Sequence, residues 1–376
     1  MKTAIVTFVR AYNYGAVLQC YALHKTLNKI GVENEVLDYY PSYFYDQYNL
    51  SYLGEMRYFP YRPLKNWIKY TPMLWILKRR IKGFEKFISK NIKLSKKQYF
   101  TQEEINKENF DYNAYISGSD QVWSSTCAKF DPTFFLDFQS ANTAKKISYA
   151  ASFGVDKIPK EYEDEYKRRL YGWARYSVRE KSGQNIVSEL LGEKAEQCCD
   201  PTILLEPKEW QDICTHQKIR TKYILVYYVN TEEEVMEAAK KLAGEKKLEI
   251  IVITSAANYE ALVGEKIKVY NAKNKGACSP EEFVSLFRDA QYVISDSFHG
   301  TVFSLIFHKK FLTLTDFWWG SKNYRAIELM KIVGVEERGK LDNPQIIDNE
   351  IAWDYVDKQL KKYREKSIEY LKNATK

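Results

Sequence analysis

The sequence predicts an α/β chain built as two successive domains that face a cleft. Three observations carry this. Short β-branched or aromatic runs alternate with amphipathic helical stretches, the rhythm of parallel β-α-β units. The rhythm lapses between residues 206 and 220 and then restarts. The 376 residues, 45% hydrophobic and 28% charged, suffice for two cores of ordinary size. The boundaries read as 1–206 for the first domain, 207–345 for the second and 346–376 for a last helix that crosses back to the first.

Thr3–Val9 reads as the first strand. Ala16–Ile30 is a helix with apolar Val17, Leu18, Tyr21, Ala22 and Leu27 on one face, closed by Gly31. Glu35–Tyr39 is the second strand, which makes the sheet parallel. Asn13 and Gly15 occupy the loop between strand and helix. They are candidate substrate contacts, or a turn that needs glycine. Residues 42–110 break the rhythm and read as a helical insert, divided at Pro72. Tyr112–Ser117 is a strand with Ser119 and Asp120 at its carboxyl end, and Lys146–Ala150 is another. Glu161–Arg175 is a helix. Tyr176–Arg179 is a short strand that puts Arg179 at the rim. Asn185–Leu191 is a helix, and Cys199–Leu205 closes the first half.

In the second half, Tyr223–Val229, Leu248–Thr254, Ile267–Tyr270 and Lys310–Thr315 read as strands, with a helix over Glu232–Ala243. Ser279 before Pro280, Glu281 and Glu282 is a strong helix start. Tyr324–Val333 is a helix stopped by Gly334, and Ala352–Leu371 is the last. The richest stretch is QYVISDSFHGTVFSLIFH, residues 291–308. It reads as a buried strand, a polar turn and an apolar helix from Thr301. Ser297, His299 and Gly300 thus sit at a strand-to-helix junction, where α/β sheets place ligands and helix N–H groups favour an anion. A capped helix with a satisfied histidine gives the same pattern.

Composition narrows the function. Six cysteines and four histidines show no zinc spacing, so no metal or other cofactor is expected. The N-terminal apolar run is too short for a signal peptide, and no run is long enough to span a bilayer. The net charge is +8. Between Tyr61 and Lys97 there are twelve Lys or Arg and one acid, so this segment alone carries +11 and the remainder −3. That distribution argues against nucleic acid and for a local basic surface. With Trp67 and Trp75 it is a candidate contact for an anionic membrane; the competing reading is a solvated face over a docked apolar one.

The motifs NYGAVLQCYAL, YISGSDQVW, ISYAASFG, YSVRE, DPTILL, SPEEFVSLFRDA and ISDSFHGTVFSLIF occur here in the order found in the polysaccharide pyruvyl transferase family, which this chain resembles. The resemblance implies two Rossmann-like domains facing a cleft, of glycosyltransferase-B type. It implies phosphoenolpyruvate as donor and a glycan acceptor, often lipid-linked, that receives pyruvate as a ketal in the cytoplasm or at the inner membrane face. It assigns Arg179 and His299 to activity. Some members carry an arginine two residues before that histidine; here the residue is Ser297, and Arg325 is a candidate replacement, the competing reading being an arginine on an exposed helix. In this scheme His299 is the general acid, Arg179 and Arg325 hold the donor, and Asp120 accepts a sugar hydroxyl proton or orients the sugar; a turn-stabilising Asp gives the same pattern at 120. Two other functions fit the same sequence: a glycosyltransferase using a nucleotide sugar, and a non-catalytic glycan-binding protein of the same fold.

Overall fold

The computed structural model describes residues 1–44, 65–216, 219, 221–229, 233–254, 272–317, 322–341 and 344–376, with side chains omitted over 65–74. The expected strand Ile267–Tyr270 lies outside these residues.

The first half holds β1 (Lys2–Val6), α1 (Tyr14–Lys29), β2 (Glu33–Val36), α2 (Lys65–Asn91), β3 (Ala114–Ser117), β4 (Lys145–Ser148), α3 (Glu163–Leu170), β5 (Tyr176–Val178), α4 (Lys181–Leu191), β6 (Ala195–Gln197) and the short α5 (Pro201–Leu204). Its parallel sheet has the order β2-β1-β3-β4. Parallel bridges at Ile147–Arg175 and Ala151–Val178 join it to the parallel pair β5-β6. The second half holds β7 (Tyr223–Tyr228), α6 (Glu233–Lys246), β8 (Glu249–Thr254), β9 (Ala272–Asn274), α7 (Pro280–Asp289), β10 (Tyr292–Ser295), α8 (Phe298–Ile306), β11 (Lys310–Thr313), α9 (Tyr324–Val333) and α10 (Trp353–Ala374). Its parallel sheet has the order β11-β10-β7-β8-β9.

Both orders reverse once, between β1 and β3 in the first sheet and between β7 and β10 in the second. Crevices open beyond the carboxyl ends of strands at such reversals, because the connections leave in opposite directions. The chain leaving β1 enters α1, and the chain leaving β10 enters α8. These two helix starts meet, so the topology brings the two crevices together.

Local chemistry explains the element ends. Gly31, at φ +80°, closes α1: its N–H donates to Asn28 O at 3.1 Å and that of Val32 to Leu27 O at 2.9 Å. Ser279 and Glu282 cap α7 reciprocally, at 3.2 and 2.8 Å. One apolar cluster runs through both halves. At its middle the Tyr14 ring stacks on Phe283 with centroids 4.4 Å apart, and its hydroxyl donates to Cys278 O.

Several expectations are corrected. α2 runs unbroken past Pro72. A proline costs one backbone bond, and α2 is held elsewhere by buried Leu77, Phe84, Phe87 and Ile88. The insert is not wholly helical: Leu94 and Tyr99 bridge to Val36 and Tyr39 and extend the sheet edge. Arg80 does not belong to the solvated basic face. It is buried, donates to Thr254 O at 2.9 Å and Tyr12 O at 3.3 Å, and lies over the Tyr14 ring. α3 stops at Leu170, ahead of Gly172 at φ +75°, instead of running to Arg175. The stretch 206–220 contains a helical turn, Pro207–Gln211, pinned by buried Trp210, whose indole N–H donates to Thr202 O. α10 lies along the first half, where Arg364 donates to Ile203 O and Tyr370 to Ser148 O. Among the described residues no helix is long and apolar enough to cross a membrane.

Candidate functional site

β5 ends at Val178, and the next residue, Arg179, turns its side chain into the interior between the halves. The guanidinium is 3% exposed. Its Nε donates to Glu180 at 2.9 Å and its Nη1 to Asp200 Oδ2 at 2.9 Å. Its carbon lies 4.8 Å over the Phe298 ring. Burial works against this charge, but Glu180, Asp200 and Asp120 outweigh it and hold the pKa above that of a free arginine. Nη2 is buried without a hydrogen-bond partner; Asp120 Oδ1 stands 3.9 Å away, too far to serve.

Asp200 lies at the centre of the cluster and is fully buried. Its Oδ1 caps α5 by accepting from the Thr202 N–H and hydroxyl, at 3.0 and 2.7 Å. Its Oδ2 accepts from Arg179 and from the Ser119 hydroxyl at 3.1 Å. Burial opposes its ionisation, but His299, Arg179 and the Thr202 bonds prevail and depress its pKa below the carboxylate range. The sequence analysis quoted DPTILL but did not single out this residue. The available signal was Asp before Pro, a helix-cap pattern that says nothing about what the second carboxylate oxygen meets.

His299 comes from the first turn of α8. Its Nε2 faces Asp200 Oδ2 at 3.6 Å, beyond hydrogen-bond distance, and is buried without a partner. Its other nitrogen, Nδ1, lies against Gly15, where any Cβ would overlap the ring. Gly15 is therefore required by contact with the imidazole, not by its own backbone angles. Asn13 serves α1 as its cap, accepting from Gly15 N at 3.0 Å and Ala16 N at 3.4 Å. Ser297 occupies the cap position of α8 but makes no side-chain cap bond, and its N–H donates to Ser295 Oγ at 3.0 Å. Among the described residues the N–H groups of Phe298, His299 and Gly300 have no side-chain acceptor. Gly300 packs against Ser295, whose hydroxyl a Cβ there would overlap.

Arg325 extends from α9 into the same space and makes no hydrogen bond or ion pair among the described residues. Burial, then the like charge of Arg179, lowers its pKa. Asp120 has φ +75°, and its carboxylate accepts from Gln121 N at 2.9 Å, so part of its work is to hold the turn. Glu328, also on α9, accepts from Lys181 N at the start of α4 and from Gln197, tying the halves together beside the site.

The structure thus gathers Arg179, His299, Ser119, Asp120 and Arg325 around Asp200, with Gly15 in contact and Ser297 and Gly300 at the helix start. The Asn13 side chain is engaged as the cap of α1, next to Gly15. The cavity lined by Arg179, Asp200, Phe298 and Arg325 holds about 10 Å³ of free volume, room for about one water. Among the described residues no group of three or more His, Cys, Asp or Glu is arranged to hold a metal.

Comparisons with known proteins agree with this architecture. UDP-GlcNAc 2-epimerase of Methanocaldococcus jannaschii, solved with UDP-GlcNAc and UDP, superposes with TM-score 0.54 at 14% identity, covering 93% of this chain and 94% of that one. S. aureus MnaA with UDP gives TM-score 0.50 at 13% identity, covering 96% and 90%. At such identity the likeness shows the fold alone, that of two-domain glycosyltransferase-B-like proteins. Among curated proteins none matches. The sequence profile described as polysaccharide pyruvyl transferase matches residues 13–316, from the cap of α1 to just beyond β11. The chain belongs to the polysaccharide pyruvyl transferase family.

Proposed function

We propose that the protein transfers a pyruvyl group from phosphoenolpyruvate to a sugar of a cell-surface polysaccharide or its lipid-linked precursor, forming a ketal. One observation carries this reading. Two buried nitrogens without partners, Arg179 Nη2 and His299 Nε2, and an unpaired Arg325 converge beside an uncapped helix start. Buried polar groups without partners are costly, so such a convergence fits a bound anion.

Phosphoenolpyruvate carries a phosphate and a carboxylate, both suited to arginine. Arg179 and Arg325 hold them, with the N–H groups at the start of α8. His299 gives a proton to carbon 3, which becomes a methyl group and leaves carbon 2 electrophilic. One acceptor hydroxyl adds to carbon 2. A second then displaces the phosphate, breaking the bond from carbon 2 to the bridging oxygen. Of the two hydroxyl protons, one returns to His299 and the other leaves with phosphate. Asp120 orients the acceptor. Ser297, in the place of an arginine found in some relatives, leaves that part of the anion to Arg325.

Lipid-linked acceptors would be met at a membrane surface. Exposed Lys78 and Arg79 on α2, with Arg79 over the 59%-exposed Trp75, make the contact to an anionic bilayer in this reading. Phosphate release from phosphoenolpyruvate, measured against lipid-linked and nitrophenyl hexosides, tests the donor. Release that requires a hexoside supports ketal transfer. Saturation by a nucleotide sugar and not by phosphoenolpyruvate sinks it.

A further inference from the structure

The proposed mechanism assigns Asp200 no step, yet this carboxylate is hydrogen-bonded to Arg179 and stands 3.6 Å from His299 Nε2. Oδ1 is committed to the start of α5 through Thr202. Oδ2 alone meets Arg179 Nη1, the Ser119 hydroxyl and, at 3.6 Å, His299 Nε2. A carboxylate with one oxygen locked in a helix cap cannot rotate. Its second oxygen is therefore a fixed negative point, contributed by the first half, opposite a histidine contributed by the second. It is the one carboxylate oxygen within 4 Å of a nitrogen of that ring among the described residues. The other face of the ring rests on the start of α1, where Asn13, Tyr14 and Gly15 bring no charge. Arg179, bonded to Asp200, is in turn 2.9 Å from Glu180 and 3.9 Å from Asp120, and Arg325 lines the same cavity.

We infer that Asp200 is the positioning residue of the site: it fixes the imidazole of His299 and the guanidinium of Arg179 so that Nε2 and Nη2 face one anion. The distances fit this division of labour. Arg179 gives Asp200 one nitrogen and keeps Nη2 free, while His299 is attracted but not hydrogen-bonded, so its Nε2 stays available. Asp200 needs no contact with the donor to do this. The inference rests on the donor reading above for its kinetic arm and stands apart from it in its spectroscopic arm.

Asp200→Asn is the decisive variant, because asparagine caps a helix as well as aspartate does while removing the charge and the acceptor that Oδ2 offers to Arg179 and Ser119. Asp200→Ser serves as a second cap-competent variant. In the full chain with phosphoenolpyruvate and a working acceptor, Asp200→Asn lowers kcat on the order of 10²-fold, within the range for disabling an acid-base group. The KM for phosphoenolpyruvate moves much less. Added to His299→Ala, the same change lowers kcat no further, as residues acting as a unit require. Independently, the ring nitrogen resonances of His299, identified among the four histidines by their loss in His299→Ala, shift in Asp200→Asn. Additive losses in the double variant, or unmoved His299 resonances in a folded Asp200→Asn protein, overturn the inference. If the wild type releases no phosphate with any acceptor, the donor reading fails, and the resonances alone decide the role of Asp200.

Discussion

The starts of α1 and α8 lie face to face, each after a parallel strand at a reversal of sheet order, and each carries a glycine in close contact. They differ in what happens to their N–H groups. At α1 the Asn13 side chain takes two of them, and the junction is complete in itself. At α8 the Ser297 side chain takes none, and the junction borders the buried nitrogens of Arg179 and His299. A helix start left without a cap forgoes about 0.5–2 kcal/mol. The comparison separates a capped junction from an uncapped one, and in the proposed function it is the uncapped one that receives the anion.

His299→Ala and Arg179→Lys attack the open junction directly. His299→Ala lowers turnover by about two to four orders of magnitude with a nearly unchanged melting curve. Arg179→Lys loses the forked contacts to Glu180 and Asp200 along with any bidentate hold on the donor, and raises its KM. Unchanged donor kinetics would assign Arg179 to structure. Ser297→Asp converts the open junction into a closed one. It places a carboxylate where the proposed function holds the donor anion, so the KM for phosphoenolpyruvate is expected to rise about tenfold or more, equivalent to about 1.4 kcal/mol. The same change stabilises α8 by about 0.3–1 kcal/mol. Thermal denaturation and donor titration must therefore move in opposite directions.

Gly15→Ala tests the contact between the two junctions. Its methyl group would overlap the His299 ring, so the halves must shift, with a loss of about 1–3 kcal/mol and a fall in turnover. Asn13→Ala should cost about 1 kcal/mol in stability and leave the donor KM near the wild-type value. A large KM change there would break the distinction between the two helix starts. The smallest effect is at the surface. Lys78→Gln with Arg79→Gln weakens sedimentation with anionic vesicles by about 1 kcal/mol per residue at low salt, and less as salt screens it. Arg80→Gln belongs in a different class: it strips buried carbonyls of Thr254 and Tyr12 of their donor and lowers stability instead.

How legible the molecule was depended on the range of the interaction. The helix start at Ser279, the glycine stop at Gly31 and the helix Tyr324–Val333 follow from neighbours within a few residues, and the structure agrees with each. The strand-to-helix junction at 295–300 was legible because strand, turn and helix signals fall together there. Arg80 was not, since twelve basic residues in one run look alike until packing buries one of them. Asp200 was missed for the same reason: its local signature is a helix cap, and its second oxygen meets residues 21, 81 and 99 positions away.

The sequence by itself therefore determined the parallel α/β architecture, the helix ends at Gly31, Ser279 and Gly334, and the family, whose resemblance singled out Arg179 and His299. Periodicity, caps and motif order are written in residues close along the chain. The tertiary structure alone decided that Asp200 stands between that pair, that Gly15 makes room for His299, that Arg325 reaches the cluster unpaired and that Arg80 joins the halves. Each of these depends on which parallel strands end side by side and how the two sheets meet. That is fixed by burial of apolar surface across the whole chain, not by any local signal.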